Sequence, residues 1–303
     1  MQREIGEPSV QESARSAHQS SATLRRMDRA ELIERISRTW ANNAVAHAVV
    51  LAGQDRSWRT ETFELAGGHV VLSGPGLYVN RGLAIGFERP VTAADFELLE
   101  ERSTVVGVPP SIEFVPTADH SIAEHAGVRG YAIQRLLTTH IRSLDDTADA
   151  IPVDSTIAIE RADDGELLGV WQDVAAEGFA VGSDQGRRAN DAFAKAAAVV
   201  DGHGFLLARD ATDGRPLGCA SVTIRDGLAT LGAMATLPAE RRRGVQAALV
   251  AHRLRLAMDA GCDLAMSSTV PASASERNLA RAGFRPLYET IILAREPQGS
   301  GSS

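Results

Sequence analysis

Residues 229–260 read ATLGAMATLPAERRRGVQAALVAHRLRLAMDA. Ala229–Thr236 is apolar and short, as a buried strand would be. Leu237-Pro238 stops it. Arg241-Arg242-Arg243-Gly244 then forms a very basic turn, and Gln246–Ala260 has the apolar content of a long helix. A strand, a glycine turn and a helix N-terminus together make an anion site. The first amides of a helix have no partner within it, and its dipole adds partial positive charge. Gly244 permits torsions closed to other residues, and the three guanidinium groups add charge-assisted contacts. A pyrophosphate suits such a place. The Walker pattern requires Gly-Lys-Ser/Thr and the dinucleotide fingerprint three spaced glycines; neither occurs here.

Pro238 followed by Arg241-Arg242-Arg243-Gly244-Val245-Gln246-Ala247 at the head of a helix resembles the acetyl-CoA loop of the GNAT superfamily, Gln/Arg-x-x-Gly-x-Gly/Ala. Gln246 departs from the final small residue, while Ala247 and Ala248 keep that helix edge small. Pro271–Phe284 resembles the family's late helix and its Gly-Phe ending, with Ser275 and Asn278 where such proteins touch the cofactor or cap the helix. The resemblance covers roughly Gly204–Leu293.

It implies an α/β (α+β) fold of two tandem units, each a mixed, mostly antiparallel sheet flanked by helices. One unit keeps the cofactor site, and the first is degenerate. It further implies acetyl-CoA or another acyl-CoA as co-substrate, with no metal. Backbone groups of Met234, Ala235 and Thr236 would bond the pantetheine arm where their strand splays from Leu264–Ser268. The amides of Val245–Ala248 would hold the pyrophosphate. A small-molecule or peptide amine would attack the thioester directly. The strand glutamate common in the family is missing. Glu240 in the loop is the nearest carboxylate, and Tyr288 on the last strand is the candidate acid, since the late-helix tyrosine falls at Leu279. These departures leave open a catalytically inactive acyl-CoA sensor or assembly module.

The chain outside this region repeats the pattern. A helix is predicted over Arg29–Asn42, capped by Asp28, from Leu32, Ile33, Ile36 and Trp40 at helical spacing. Short strands are predicted at Thr60–Leu65, His69–Ser73, Leu77–Asn80 and Leu83–Phe87. A helix follows at Thr92–Val105 with Thr92 and Asp95 as capping box, then strand Ser111–Val115, helix His120–Ala126 and strand Tyr131–Ile141. After an acidic linker at Asp145–Ala150 come strand Thr156–Glu160, helices Leu167–Gly178 and Arg187–Val200, strands Gly204–Asp210 and Gly218–Ile224, then the opening segment. Strand Leu264–Ser268, helix Ser275–Ala282 and strand Phe284–Leu293 close the chain. Each half has a Gly-aromatic step before its last strand, Gly130-Tyr131 and Gly283-Phe284. The expected organisation is a tail over 1–26, units over 27–145 and 151–296, and a tail over 297–303.

The 303 residues suit two domains, and 44% hydrophobic content with 23% charged fits a globular chain. A net charge of −8 argues against a general nucleic-acid surface and mildly favours amines. Two cysteines, Cys219 and Cys262, make neither a disulfide framework nor a zinc signature. No apolar run is long enough for a membrane span or a signal peptide, so a cytoplasmic monomer or homodimer is expected. His120 and His125 stand five apart, wrong for one helix face. Glu88 and Glu113 would line an amine pocket if the two halves face each other.

Overall fold

The computed structural model describes residues 27–77, 79–144 and 155–296. The tails and linker expected at 1–26, 145–150 and 297–303 lie outside these residues, as does Tyr78. The chain order is α1 (Arg29–Gln54), β1 (Glu61–Leu65), β2 (Gly68–Leu72), β3 (Arg81–Leu83), α2 (Ala93–Val106), β4 (Ser111–Phe114), α3 (Ser121–Val128) and β5 (Ala132–Ser143). Then follow β6 (Ile157–Arg161), α4 (Gly165–Gly178), α5 (Asp184–Ala197), β7 (His203–Asp210), β8 (Pro216–Arg225), β9 (Leu228–Thr236), α6 (Val245–Asp259), β10 (Leu264–Thr269), α7 (Ala274–Arg281) and β11 (Arg285–Ala294).

The capping signals hold. Asp28 and Glu31 close a capping box on α1, and Thr92 with Asp95 does the same on α2. Helix α1 runs twelve residues past the expected end at Asn42, because nothing between Asn43 and Ala52 breaks it. Near β3 the expected strands Leu77–Asn80 and Leu83–Phe87 give way to one, Arg81–Leu83. Asn80 accepts from Ser73 N and donates to Leu77 O, and Ala84 and Gly86 turn the chain with positive φ.

The fold is mixed α/β with mostly antiparallel strands. The two runs of strands do not make separate sheets. They join in one eleven-stranded sheet of order β1-β2-β3-β4-β11-β5-β10-β9-β8-β7-β6. The closing strands change places. β5 ends the first half yet lies against β10, and β11 ends the second half yet lies against β4. The two pair with each other from Ile141↔Arg285 to Ala132↔Ala294. The parallel pairings occupy matching positions, β3 with β4 and β9 with β10.

The exchange mixes the cores. Phe96, Leu99, Ile112 and Ile122 of the first half share one cluster with Leu228, Leu264, Met266, Tyr288 and Leu293 of the second. Helix α1 is tied across as well. Arg35 holds Asp263 with two hydrogen bonds of 2.8 and 3.0 Å, and Arg225 donates to Asn43 Oδ1 at 2.8 Å. A fragment starting at Asp145 would therefore lose β5 from between β10 and β11, leaving two unpaired edges and a bared apolar face. It is expected to be insoluble, and a soluble monomer on size exclusion would contradict this. Among the described residues no helix is long and apolar enough to cross a membrane.

Candidate active site

The basic turn stands open. Gly244 caps α6 with φ of 81°, and Arg242 has φ of 67°. No side chain caps the helix, and a Cβ on Gly244 would meet nothing within 4 Å. Glycine is needed here for the torsion, while the front of the helix faces free space. Behind it Val245, Ala248 and Leu249 pack on Leu206, Leu217 and Ala220, which fixes the helix on the sheet.

The three arginines have different surroundings. Arg241 and Arg242 are exposed and form no ion pair among the described residues. Arg243 is engaged by Asp210 at 2.8 Å and Glu240 at 2.5 Å. Arg215 joins the same cluster, 3.2 Å from Asp210 and 3.3 Å from Glu240. Arg243 braces the turn, and Glu240 is a partner of two guanidinium groups that does not line the cavity described below.

Gln246 and Asn278 stand 32 residues apart in sequence, and the fold brings them together. Asn278 Nδ2 donates to Gln246 Oε1, joining the first turn of α6 to α7. The departure at Gln246 thus serves a side-chain latch. Ser275 is not the cap of α7. Ser273 caps it, accepting from Glu276 N at 3.1 Å, and Ser275 is exposed in the first turn. Leu279, in place of a tyrosine, is buried core.

β9 and β10 pair only through Leu228↔Leu264, Ala229↔Ala265 and Thr230↔Met266. Beyond that they part, with Ser267 Oγ donating to Leu231 O at 2.9 Å at the fork. On its other side β9 bulges: Ser221 pairs with Gly232 and Cys219 with Ala235, so Ala233 and Met234 stand opposite Ala220 alone. Ala233 has φ of 29°. Bulges re-aim backbone groups, and here the strand neighbour on the open side has also left. Met234, Ala235 and Thr236 border this gap.

Arg253 underlies the bulge. It comes from α6, is 1% exposed, and bonds only main-chain oxygens and sulfur: Leu249 O, Ser221 O and Gly232 O at 3.1 Å each, and Met234 Sδ at 2.8 Å. Burial pulls its pKa down to about 9. The sequence analysis missed it inside an apolar helix.

On the opposite face of the sheet from α6 lies a cavity of ≈ 630 Å³, walled by α1, α4 and α5 and floored by strands of both halves. Gly232, Ala233 and Ser268 of the gap line it. Tyr288 lines it too, 7% exposed, in register with Thr139 and through it with Ser268. Thr139 Oγ1 lies 3.0 Å from Ser268 Oγ, and Tyr288, paired with Thr139 in register, approaches Ser37 Oγ at 3.5 Å. A row of hydroxyls therefore leads from Tyr288 to the gap. Burial raises the Tyr288 pKa, so the phenol keeps its proton.

Glu113 lines the cavity, with Arg81 Nε donating to it at 2.7 Å. Glu88 does not; it pairs with Arg38. Among the lining groups that the sequence analysis missed, four sit on one face of α1: Ser37, Trp40, Asn43 and His47. Their spacing was visible for Trp40, and the polar residues on that stripe were the signal. His120 and His125 stack near Phe114 and Phe96. Among the described residues no cluster of His, Cys, Asp or Glu is placed to hold a metal.

Residues 156–284 match the family model for the acetyltransferase (GNAT) family. No curated protein matches the sequence. The whole fold is similar to a GCN5-related N-acetyltransferase from Kribbella flavida, with 17% identity, 86% of this chain and 96% of that one covered, and a TM-score of 0.62. It is also similar to a tandem GNAT protein from the clavulanic acid biosynthesis pathway, with 16% identity, 78% and 80% covered, and a TM-score of 0.56. A GCN5-related N-acetyltransferase from Sphaerobacter thermophilus gives 15% identity, 84% and 91% covered, and a TM-score of 0.56. Residues 156–284 therefore match the acetyltransferase (GNAT) family, within a chain whose overall fold is similar to that of GCN5-related N-acetyltransferases.

Proposed function

We propose that the protein transfers an acyl group, acetyl above all, from acyl-CoA to the amine of a small molecule or peptide bound in the cavity. The parting of β9 from β10 beside an open helix front carries this reading. The α6 amides of Val245–Ala248, with Arg241 and Arg242, would hold the pyrophosphate. The pantetheine arm would bond Met234–Thr236 as a neighbouring strand would, with the thioester at the bulge. The backbone there would take the developing charge on the carbonyl oxygen.

The amine nitrogen bonds the carbonyl carbon and the carbon–sulfur bond breaks. Ser268 gives its proton to the leaving thiolate and is refilled from Tyr288 through Thr139. The ammonium proton leaves by water to Glu113, the cavity's carboxylate, and passes on to the Tyr288 phenolate, so both groups end as they began. Thiol release from acetyl-CoA with a panel of primary amines tests this, and no release with any amine would contradict it. Tyr288→Phe should lower kcat about 100-fold with the acetyl-CoA Kd unchanged, as expected for a lost proton donor. An unchanged kcat would remove Tyr288 from the reaction.

One observation favours a second reading. Glu113, the carboxylate lining the cavity, stands three strands from the gap. A protein that binds acyl-CoA without using it would show calorimetric binding and no thiol release.

A further inference from the structure

The cavity has a second end, away from Tyr288, with a different chemistry. His203, Thr223 and Thr230 are paired across β7, β8 and β9, so their side chains share one face of the sheet. Asn43 and His47 descend on them from α1, one turn apart, and the His47 and His203 rings meet edge to face at 5.0 Å. His203 Nδ1 is 2.8 Å from Thr223 Oγ1.

Four polar atoms at this end are buried without a partner: Asn43 Nδ2, His47 Nε2, His203 Nε2 and Thr230 Oγ1. All four residues line the cavity, and Asn43, His203 and Thr230 are 3%, 8% and 6% exposed. Native interiors pair nearly all such groups, so four together in one hollow point to a ligand. The amide orientation of Asn43 is fixed, because its Oδ1 accepts from Arg225 and leaves Nδ2 as donor.

The charges exclude most ligand classes. Burial, with Arg225 nearby, takes the His47 pKa down to about 4. Burial, with His47 and Arg161 nearby, takes that of His203 down to about 3. Both rings are neutral at physiological pH, so neither attracts an anion, and the nearby cations are engaged, Arg161 by Asp163 and Arg225 by Asn43 Oδ1. The carboxylate among the lining residues, Glu113, is at the other end, so a cation finds no counter-charge here. What fits is an uncharged group that both donates and accepts. Phe193 beside the two histidines adds an apolar edge suited to the flat flank of a ring. From the β9 gap to β7 is two strand spacings, roughly 10 Å.

Taking the gap as the site of acyl transfer, as proposed above, we infer that the acceptor is an amine on an uncharged polyhydroxylated body of monosaccharide size, its hydroxyls seated on Asn43, His47, His203 and Thr230. The test compares D-glucosamine with cyclohexylamine, glutamate and spermidine as acceptors for the full chain. It also measures saturation transfer from protein to glucosamine by NMR. Glucosamine should exceed cyclohexylamine at least 10-fold in kcat/KM and show saturation transfer. Thr230→Val, which keeps the shape, and Asn43→Asp, which keeps the bond to Arg225, should each cut that preference about 10-fold, with KM for glucosamine carrying the change.

No advantage of glucosamine, a preference for glutamate or spermidine, or a preference untouched by both variants would overturn the inference. If no amine releases thiol, yet glucosamine shows saturation transfer that Thr230→Val abolishes, the subsite stands and the transferase reading falls. No saturation transfer to the wild-type protein refutes the subsite itself.

Discussion

Gly244→Glu is expected to weaken CoA binding at least 100-fold while the fold persists. The turn has room, since a Cβ at Gly244 meets nothing within 4 Å. The new carboxylate would stand at the front of α6, where the pyrophosphate needs the amides and the positive dipole end. A φ of 81° strains any L-residue by about 1 kcal/mol, and Gly244→Ala isolates that cost. Calorimetry should show a small loss of affinity for alanine and near-complete loss for glutamate. Equal, small losses would mean that no diphosphate sits there.

Arg253→Met is the second large effect. The guanidinium spans the bulge from behind, bonding Ser221 O and Gly232 O, and is 1% exposed with no carboxylate partner among the described residues. Such burial is costly, so the residue is kept for something other than core packing. Methionine restores much of the volume but leaves the carbonyls unpaired, at a stability cost of roughly 1–3 kcal/mol. It also frees the backbone that would face the thioester. We expect kcat to fall about 100-fold, comparable to losing an oxyanion donor, with acetyl-CoA affinity little changed. Arg253→Lys keeps a charge but cannot fork across two strands, and should fall between. A Met variant with full kcat and lowered melting temperature alone would make Arg253 purely structural.

Local physics made part of this molecule legible. The caps at Asp28 and Thr92 and the run from β9 through Gly244 into α6 depend on residues adjacent in sequence. So does the cap of α7. Ser273 and Glu276 stand at capping-box spacing, and the choice of Ser275 overlooked it. What was hidden depends on distant partners. The exchange of β5 and β11 leaves no trace in either strand, because an alternating strand does not name its neighbour. Glu240 looked available because Arg215 and Asp210, brought in by the β7–β8 turn, were out of view. Arg253 and the polar floor of the cavity were hidden for the same reason: each depends on strands and helices distant in sequence.

The most direct measurement is a crystal structure of the full chain with CoA. It should show the pantetheine arm along Met234–Thr236 in the fork between β9 and β10, with the diphosphate on the amides of Val245–Ala248. CoA bound elsewhere, or those strands closed along their length with the α6 front empty, would contradict the account.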